Sequence, residues 1–190
     1  ETGILLAGTD EQSVIEMTDP EEWMTARESI AGQDLGFDEF LRRRGLGLRT
    51  DLLRPVAHWL SPNFAFRRFD TWYFAATVPL RQEPTLLRGK GKWGRWCVAS
   101  QVIAKRNSSA LGDMVGQPNT VDMNLSQITY PAVEIMLERM TDANGVVAYL
   151  SRVRSFDLQH PDLLVRDGTY YLEVIGTQKA DSARSWQATA

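Results

Sequence analysis

Two neighbouring runs, "LLRPVAHWLSP" and "FRRFDTWYFAATVP", constrain this chain more than any other feature. The second is dense in residues that fit a pleated, half-buried surface: Phe69, Thr71, Trp72, Tyr73, Phe74, Thr77 and Val78. In the first, Val56, His58 and Leu60 alternate with Ala57 and Trp59, the period of a strand. Pro55 suits the beginning or edge of such a strand. The link "SPNFAF" is short enough for a hairpin loop. A chain with this pair at its centre and helical patterns on both sides belongs to the α+β class.

The helical patterns are explicit. Asp19 followed by Pro20, Glu21 and Glu22 is an N-cap, a first-turn proline and two acids at the positive end of a helix. Trp23, Ala26, Arg27 and Ile30 continue it, and Gly32 ends it. "GFDEFLRRRGLGL" predicts a second short helix stopped by Gly45. Arg42, Arg43 and Arg44 read as its solvated C-terminus. "VASQVIAKRN" predicts a helical stretch, and "SSALGDMVGQPNT" a loop. Ser126 to Met140 predicts one helix, with Val133, Met136, Leu137 and Met140 in helical spacing; another is expected from about Ala143 to Val153. "PDLLVRDGTYYLEV" predicts a hairpin turning at Asp167-Gly168, and the tail after Gly176 is expected to fray.

Composition narrows the function classes. The 190 residues are 43% hydrophobic and carry a net charge of −3, enough for a sizeable core but without the basic excess of a nucleic-acid binder. No apolar run is long enough to span a membrane, and the start lacks a signal-peptide pattern, so a cytoplasmic location is expected. The one cysteine, Cys97, excludes an internal disulfide and is expected to be a small buried residue beside Trp96. Cys and His do not cluster at metal-binding spacing, and Walker and dinucleotide fingerprints are absent. "GKGKWG" is either a flexible turn or a loop offering Lys90 or Lys92 to a phosphate. His58 is either a packed, hydrogen-bonded histidine or a general base. Arg67 and Arg68 are either an exposed pair or an anion clamp beside a cleft.

The opening residues Glu1, Thr2, Gly3 and Ile4 fit the last four positions of the Nudix box, which ends Arg-Glu-apolar-any-Glu-Glu-any-Gly-apolar. Further on, Trp59, Ser61, Pro62, Arg68, Phe69, Asp70 and Thr71 follow in the order of one branch of that family. The chain thus resembles the Nudix hydrolases, in the branch of the peroxisomal coenzyme A diphosphatases and their bacterial relatives. "TYPAVEIMLERM" is similar to the helix that closes those domains.

The resemblance implies a mixed sheet flanked by helices, lacking its N-terminal strands. It implies a partial Nudix domain over 1–155 with a helical insertion at about 20–45, then a hairpin over 156–176 and a tail over 177–190. It implies hydrolysis of a diphosphate bond in a nucleoside-linked substrate, such as a coenzyme A derivative, ADP-ribose or a nucleotide sugar. Water attacks phosphorus while Mg²⁺ or Mn²⁺ holds the charge, and hard cations need oxygen ligands. By carry-over Glu1 is the metal ligand and catalytic residue, and Gly3 and Ile4 are the helix exit and its apolar anchor. Arg67, Arg68 and Asp70 are the substrate-binding candidates. Most of the box is absent, so the chain is expected to be a C-terminal piece of such an enzyme with little or no activity alone. A non-catalytic Nudix-like domain binding a ligand or protein is the alternative, and a small unrelated α+β binding domain is a third. The expected partner is a small molecule, neither nucleic acid nor membrane; a homodimer stays open.

Overall fold

In the computed structural model, residues 2–154, 156–175 and the backbone of 185–187 are described. The chain is mixed α+β and divides into two compact units. One contains the residues up to Arg54 together with Ala76–Trp96; the other contains Pro55–Ala75 and the chain from Cys97 onward. Among the described residues no helix is long and apolar enough to cross a membrane.

In the first unit, strand β1 (Ala7–Gly8) pairs antiparallel with β2 (Gly47–Leu48). Between them lie helices α1 (Pro20–Ala31) and α2 (Phe37–Arg43), where the sequence signals put them. The Asp19 carboxylate accepts from the Glu21 and Glu22 amides at 3.0 and 3.1 Å, satisfying two of the donors a helix start leaves open. Trp23, Phe40, Leu41, Leu46 and Ala7 form the buried core. Trp23 meets Phe40 edge-on at 5.8 Å.

The arginine run divides in a way its composition did not suggest. Arg42 and Arg43 reach Glu39 at the surface. Arg44 instead lies over the rings of Trp23 and Phe40, 4.7 and 5.1 Å from their centroids, and pairs with Glu22 at 2.5 Å. It covers the core with its guanidinium plane.

Residues 76–96 contain no helix or strand. Side chains tie them to the unit instead. Gln82 is 4% exposed. Its Oε1 accepts from the Leu5 amide at 2.9 Å, and its Nε2 donates to the carbonyls of Leu5 and Ile15 at 2.9 and 2.8 Å. Arg27 donates to the hydroxyl and carbonyl of Thr85 at 2.7 and 2.9 Å.

Two surface carboxylates in this unit are held ionised below their usual range. For Asp10 the main cause is the backbone N–H of Gln12, followed by that of Ser13; for Asp51 it is the hydrogen bond from Arg49. A carboxylate whose folded pKa is lowered stabilises the fold above its unfolded pKa of about 3.9, and this is lost as pH falls through the folded value. Stability of this unit is therefore expected to decline in acid below about pH 4. Asp51→Asn should flatten that decline, read as the change in urea midpoint between neutral and acid pH.

The second unit contains β3 (Arg54–Leu60), apart from its first residue, paired with β4 (Asp70–Ala75). Five short helices follow: α3 (Ala99–Ala104), α4 (Ala110–Val115), α5 (Leu125–Ile128), α6 (Pro131–Thr141) and α7 (Val146–Ser151). Strands β5 (His160–Arg166), β6 (Thr169–Ile175) and β7 (Ser185–Gln187) form an antiparallel sheet in that order. Asp167 and Gly168 turn between β5 and β6 with φ of 50° and 75°, the left-handed pair of a type I′ turn. The tail residues 176–184 and 188–190 lie outside the described residues.

Three sequence expectations fail here, the first for a local reason. The single helix expected over Ser126–Met140 is two helices. Tyr130, preceding Pro131, is extended at φ −79°, ψ 153°, because a proline ring clashes with a helical residue before it. The expected loop after Arg106 contains α4. Cys97 is exposed rather than buried.

The core of this unit joins β3, α6 and β6 through Ala57, Trp59, Ala132, Ile135 and Val174. Arg106 pairs with Glu138 and lies 3.9 Å from the buried Glu134, fixing the approach to α6. The described strands thus fall into sheets of two, two and three, where the resemblance implies one mixed sheet.

Candidate functional site

The β3–β4 hairpin positions the residues singled out by sequence. Ser61 closes its loop: its amide donates to the Phe69 carbonyl and its hydroxyl accepts from the Phe69 amide, both at 2.9 Å. This fixes where the loop ends and β4 begins. Arg67 and Arg68 lie immediately before that point, both exposed. Neither side chain has a hydrogen bond or ion pair among the described residues.

Asp70 is the first residue of β4 and its carboxylate is 63% exposed. Its Oδ1 lies 2.5 Å from Nε2 of His58, a side chain only 16% exposed. The His58 ring stacks on Trp72 at 4.2 Å with an 11° interplanar angle, and Trp72 meets Phe156 at 5.6 Å. Asp70 and Trp72 are two residues apart on one strand and so share a face. His58 on β3 fills the space beside both. His58 is thus packed and hydrogen-bonded.

This arrangement has a definite chemical capacity. Two exposed arginines without a partner among the described residues precede, in the chain, a carboxylate whose one oxygen is engaged by an imidazole. Planar guanidinium forks match phosphate oxygens in bidentate fashion. Asp70, held by His58, is oriented rather than free to swing. Sequence reasoning named Arg67, Arg68 and Asp70 together, and the three lie within four consecutive residues at the start of β4. It did not pair Asp70 with His58, although the two-residue alternation of both strands was the signal for it.

Glu1, the expected metal ligand and catalytic residue, lies outside the described residues. Gly3 has φ +80°, the left-handed geometry that a glycine adopts just past a helix end, and a Cβ there would come 2.6 Å from Nη1 of Arg27. A divalent cation of the Mg²⁺ or Mn²⁺ type takes about six oxygen ligands. Among the described residues no three His, Cys, Asp or Glu side chains group to hold one. The described residues thus do not by themselves supply a site for the metal.

No protein-family model, curated protein or solved structure matches this chain.

Proposed function

We propose that this chain serves a Nudix-type pyrophosphohydrolase reaction. Its substrate is a nucleoside-diphosphate-linked molecule: a coenzyme A derivative, ADP-ribose or a nucleotide sugar. The observation that carries this reading is the pair of unpartnered guanidiniums, Arg67 and Arg68, set directly before the His58-held Asp70. In this reading the arginines hold the diphosphate and Asp70 orients the attached group. The left-handed Gly3 supports the reading of Glu1 to Ile4 as the exit of a Nudix-box helix. Glu1 is then one ligand of Mg²⁺ or Mn²⁺.

A non-catalytic Nudix-like binding domain is the second reading. Its support is that no cation-holding group is found among the described residues. The two readings share the arginine pair and differ in turnover.

Calorimetric titration with ADP-ribose, coenzyme A and a nucleotide sugar, each with Mn²⁺, tests both. At least one is expected to bind, and Arg68→Ala to weaken it about tenfold or more, the equivalent of one charge-assisted hydrogen bond. Metal-dependent release of a mononucleotide would establish the enzyme. Binding without release would establish the binder. No binding of any diphosphate, or binding indifferent to Arg67→Ala and Arg68→Ala, removes both readings.

A further inference from the structure

The sheet β5–β6–β7 of the second unit leaves one edge open. In that order β6 is paired on both sides and β5 on one. Pro161 decides which backbone groups of β5 face outward. It has no N–H, so its pair with Val174 is not one that exchanges hydrogen bonds. Pairs alternate along an antiparallel ladder. Asp162 and Leu164 therefore bond to β6, while Leu163 and Val165 turn their N–H and C=O away from it. Among the described residues neither has a backbone partner on that side. The register with β6 is unbroken by a bulge and β5 contains no lysine, two devices that keep an edge from pairing.

Both faces of β5 also lack something. Leu163 and Val165 stand opposite Leu172 and Tyr170 and share a face with them. That face begins in the core, at the buried Pro161 and Val174, and runs out into solvent: Leu163 is 42% exposed, Val165 and Tyr170 55% each. On the other face Asp162 lies directly opposite Glu173, two like charges where an opposite pair is favoured. His160 lies 3.3 Å from Asp162, and Arg166 reaches Glu173 only at 3.8 Å. A cation on the open side of Asp162 would offset this contact. A second β5 laid antiparallel about Leu164 supplies it: Asp162 meets Arg166, Leu163 meets Val165, and Leu164 meets itself. The outward N–H and C=O of Leu163 then exchange hydrogen bonds with those of Val165, and symmetry repeats the exchange. The neighbouring register, about Leu163, sets Pro161 against Val165 with one donor missing and Asp162 against Leu164.

We propose that β5 is the pairing edge of a two-fold dimer, two copies of this chain joining antiparallel about Leu164 into one continuous sheet. The charges of β5 favour a second copy over an unrelated strand, because they complement themselves in this register. The exposed apolar ends of the two faces then lie side by side and cover each other. An edge pairing of this length is small beside a standard interface of about 1,600 Å², so dissociation is expected in the micromolar range. The proposal goes beyond the diphosphate reading and does not rest on it, since Arg67, Arg68 and Asp70 take no part.

Sedimentation equilibrium on the whole chain, from about 1 to about 200 µM, tests it and should show a monomer–dimer equilibrium. Asp162→Arg and Arg166→Asp each set like charges opposite one another at both symmetric positions, and each should weaken the dimer about tenfold or more. The double change should restore it, and the two single variants mixed should form a mixed dimer tighter than either forms alone. Asp162→Arg also removes the like-charge contact with Glu173, so its monomer should stay folded by circular dichroism. Val165→Pro removes an outward N–H without touching the bonds to β6, and should weaken the dimer about tenfold or more. The Leu163 and Val165 amides should exchange slowly in the dimer and fast in the monomer. A monomer throughout the range, a dimer indifferent to all three single variants, or no rescue by the double change would overturn the proposal. So would slow exchange of both amides in the monomer, since another strand would then cover the edge. None of these readouts involves a diphosphate, so the two readings fail separately.

Discussion

Replacing Gln82 by leucine is expected to destabilise the first unit by about 3–5 kcal/mol. The side chain is buried and its amide serves three backbone groups: the Leu5 amide, the Leu5 carbonyl and the Ile15 carbonyl. Leucine has similar bulk but no donor or acceptor. Each buried backbone group left unpaired costs about 1–3 kcal/mol, more than the bond itself contributes. The exchange also detaches residues 76–96, which have no regular elements of their own to hold them. Hydrogen exchange provides a local readout. Peptides covering Leu5 and Ile15 should lose protection in the variant, and the urea midpoint should fall without a change in slope. Gln82→Glu is the companion variant: it keeps the shape and the acceptor for the Leu5 amide but exchanges the donor for an acceptor facing two carbonyls. It should be at least as damaging as leucine. An unshifted midpoint in both variants would mean that the amide does not hold this segment.

That role for Gln82 could not be read from the sequence, and the reason is general. Local chemistry leaves local traces. Asp19-Pro20 marks a helix start because the cap and the ring act on their neighbours. Asp167-Gly168 marks a turn because both residues tolerate positive φ. A glutamine bridging to residues 67 and 77 positions earlier leaves no such trace. Arg44 is similar: its position among three arginines suggests solvent, and only the fold brings Trp23 and Phe40 beneath it. The break before Pro131 was a different kind of miss. The signal was present, but the helical spacing of Val133 and Met136 extended the expected helix back through a tyrosine that proline forces into an extended conformation.

The candidate site was half legible for the same reason. Arg67, Arg68 and Asp70 are neighbours in sequence, so their grouping needs no tertiary information. His58 is twelve residues from Asp70, and their pairing depends on the strand register that Ser61 and Phe69 fix across the loop. The alternation of β3 and β4 makes that pairing natural afterwards.

The second large effect belongs to the other unit. Ile135→Ala is expected to cost about 2–5 kcal/mol. Ile135 is 1% exposed and stands in the middle of α6, against Ala57 and Trp59 of β3 and Val174 of β6. Removing three carbons loses their transfer energy and leaves a cavity that small neighbours such as Ala57 and Ala132 cannot fill. The partly buried Met136 and Leu172 pack against the same cluster and set how far the site can collapse. Ile135→Val, which removes one methylene, should cost only about 0.5–1.5 kcal/mol. The comparison separates packing from helix propensity, because alanine is the better helix former and valine the worse. If helix propensity dominated, the order of the two variants would reverse. Because β3 carries both Trp59 and His58, Ile135→Ala should also loosen the strand that holds Asp70 in place. Diphosphate binding through Arg67 and Arg68 should then weaken in Ile135→Ala more than in Ile135→Val, in step with the loss of hydrogen-exchange protection along β3.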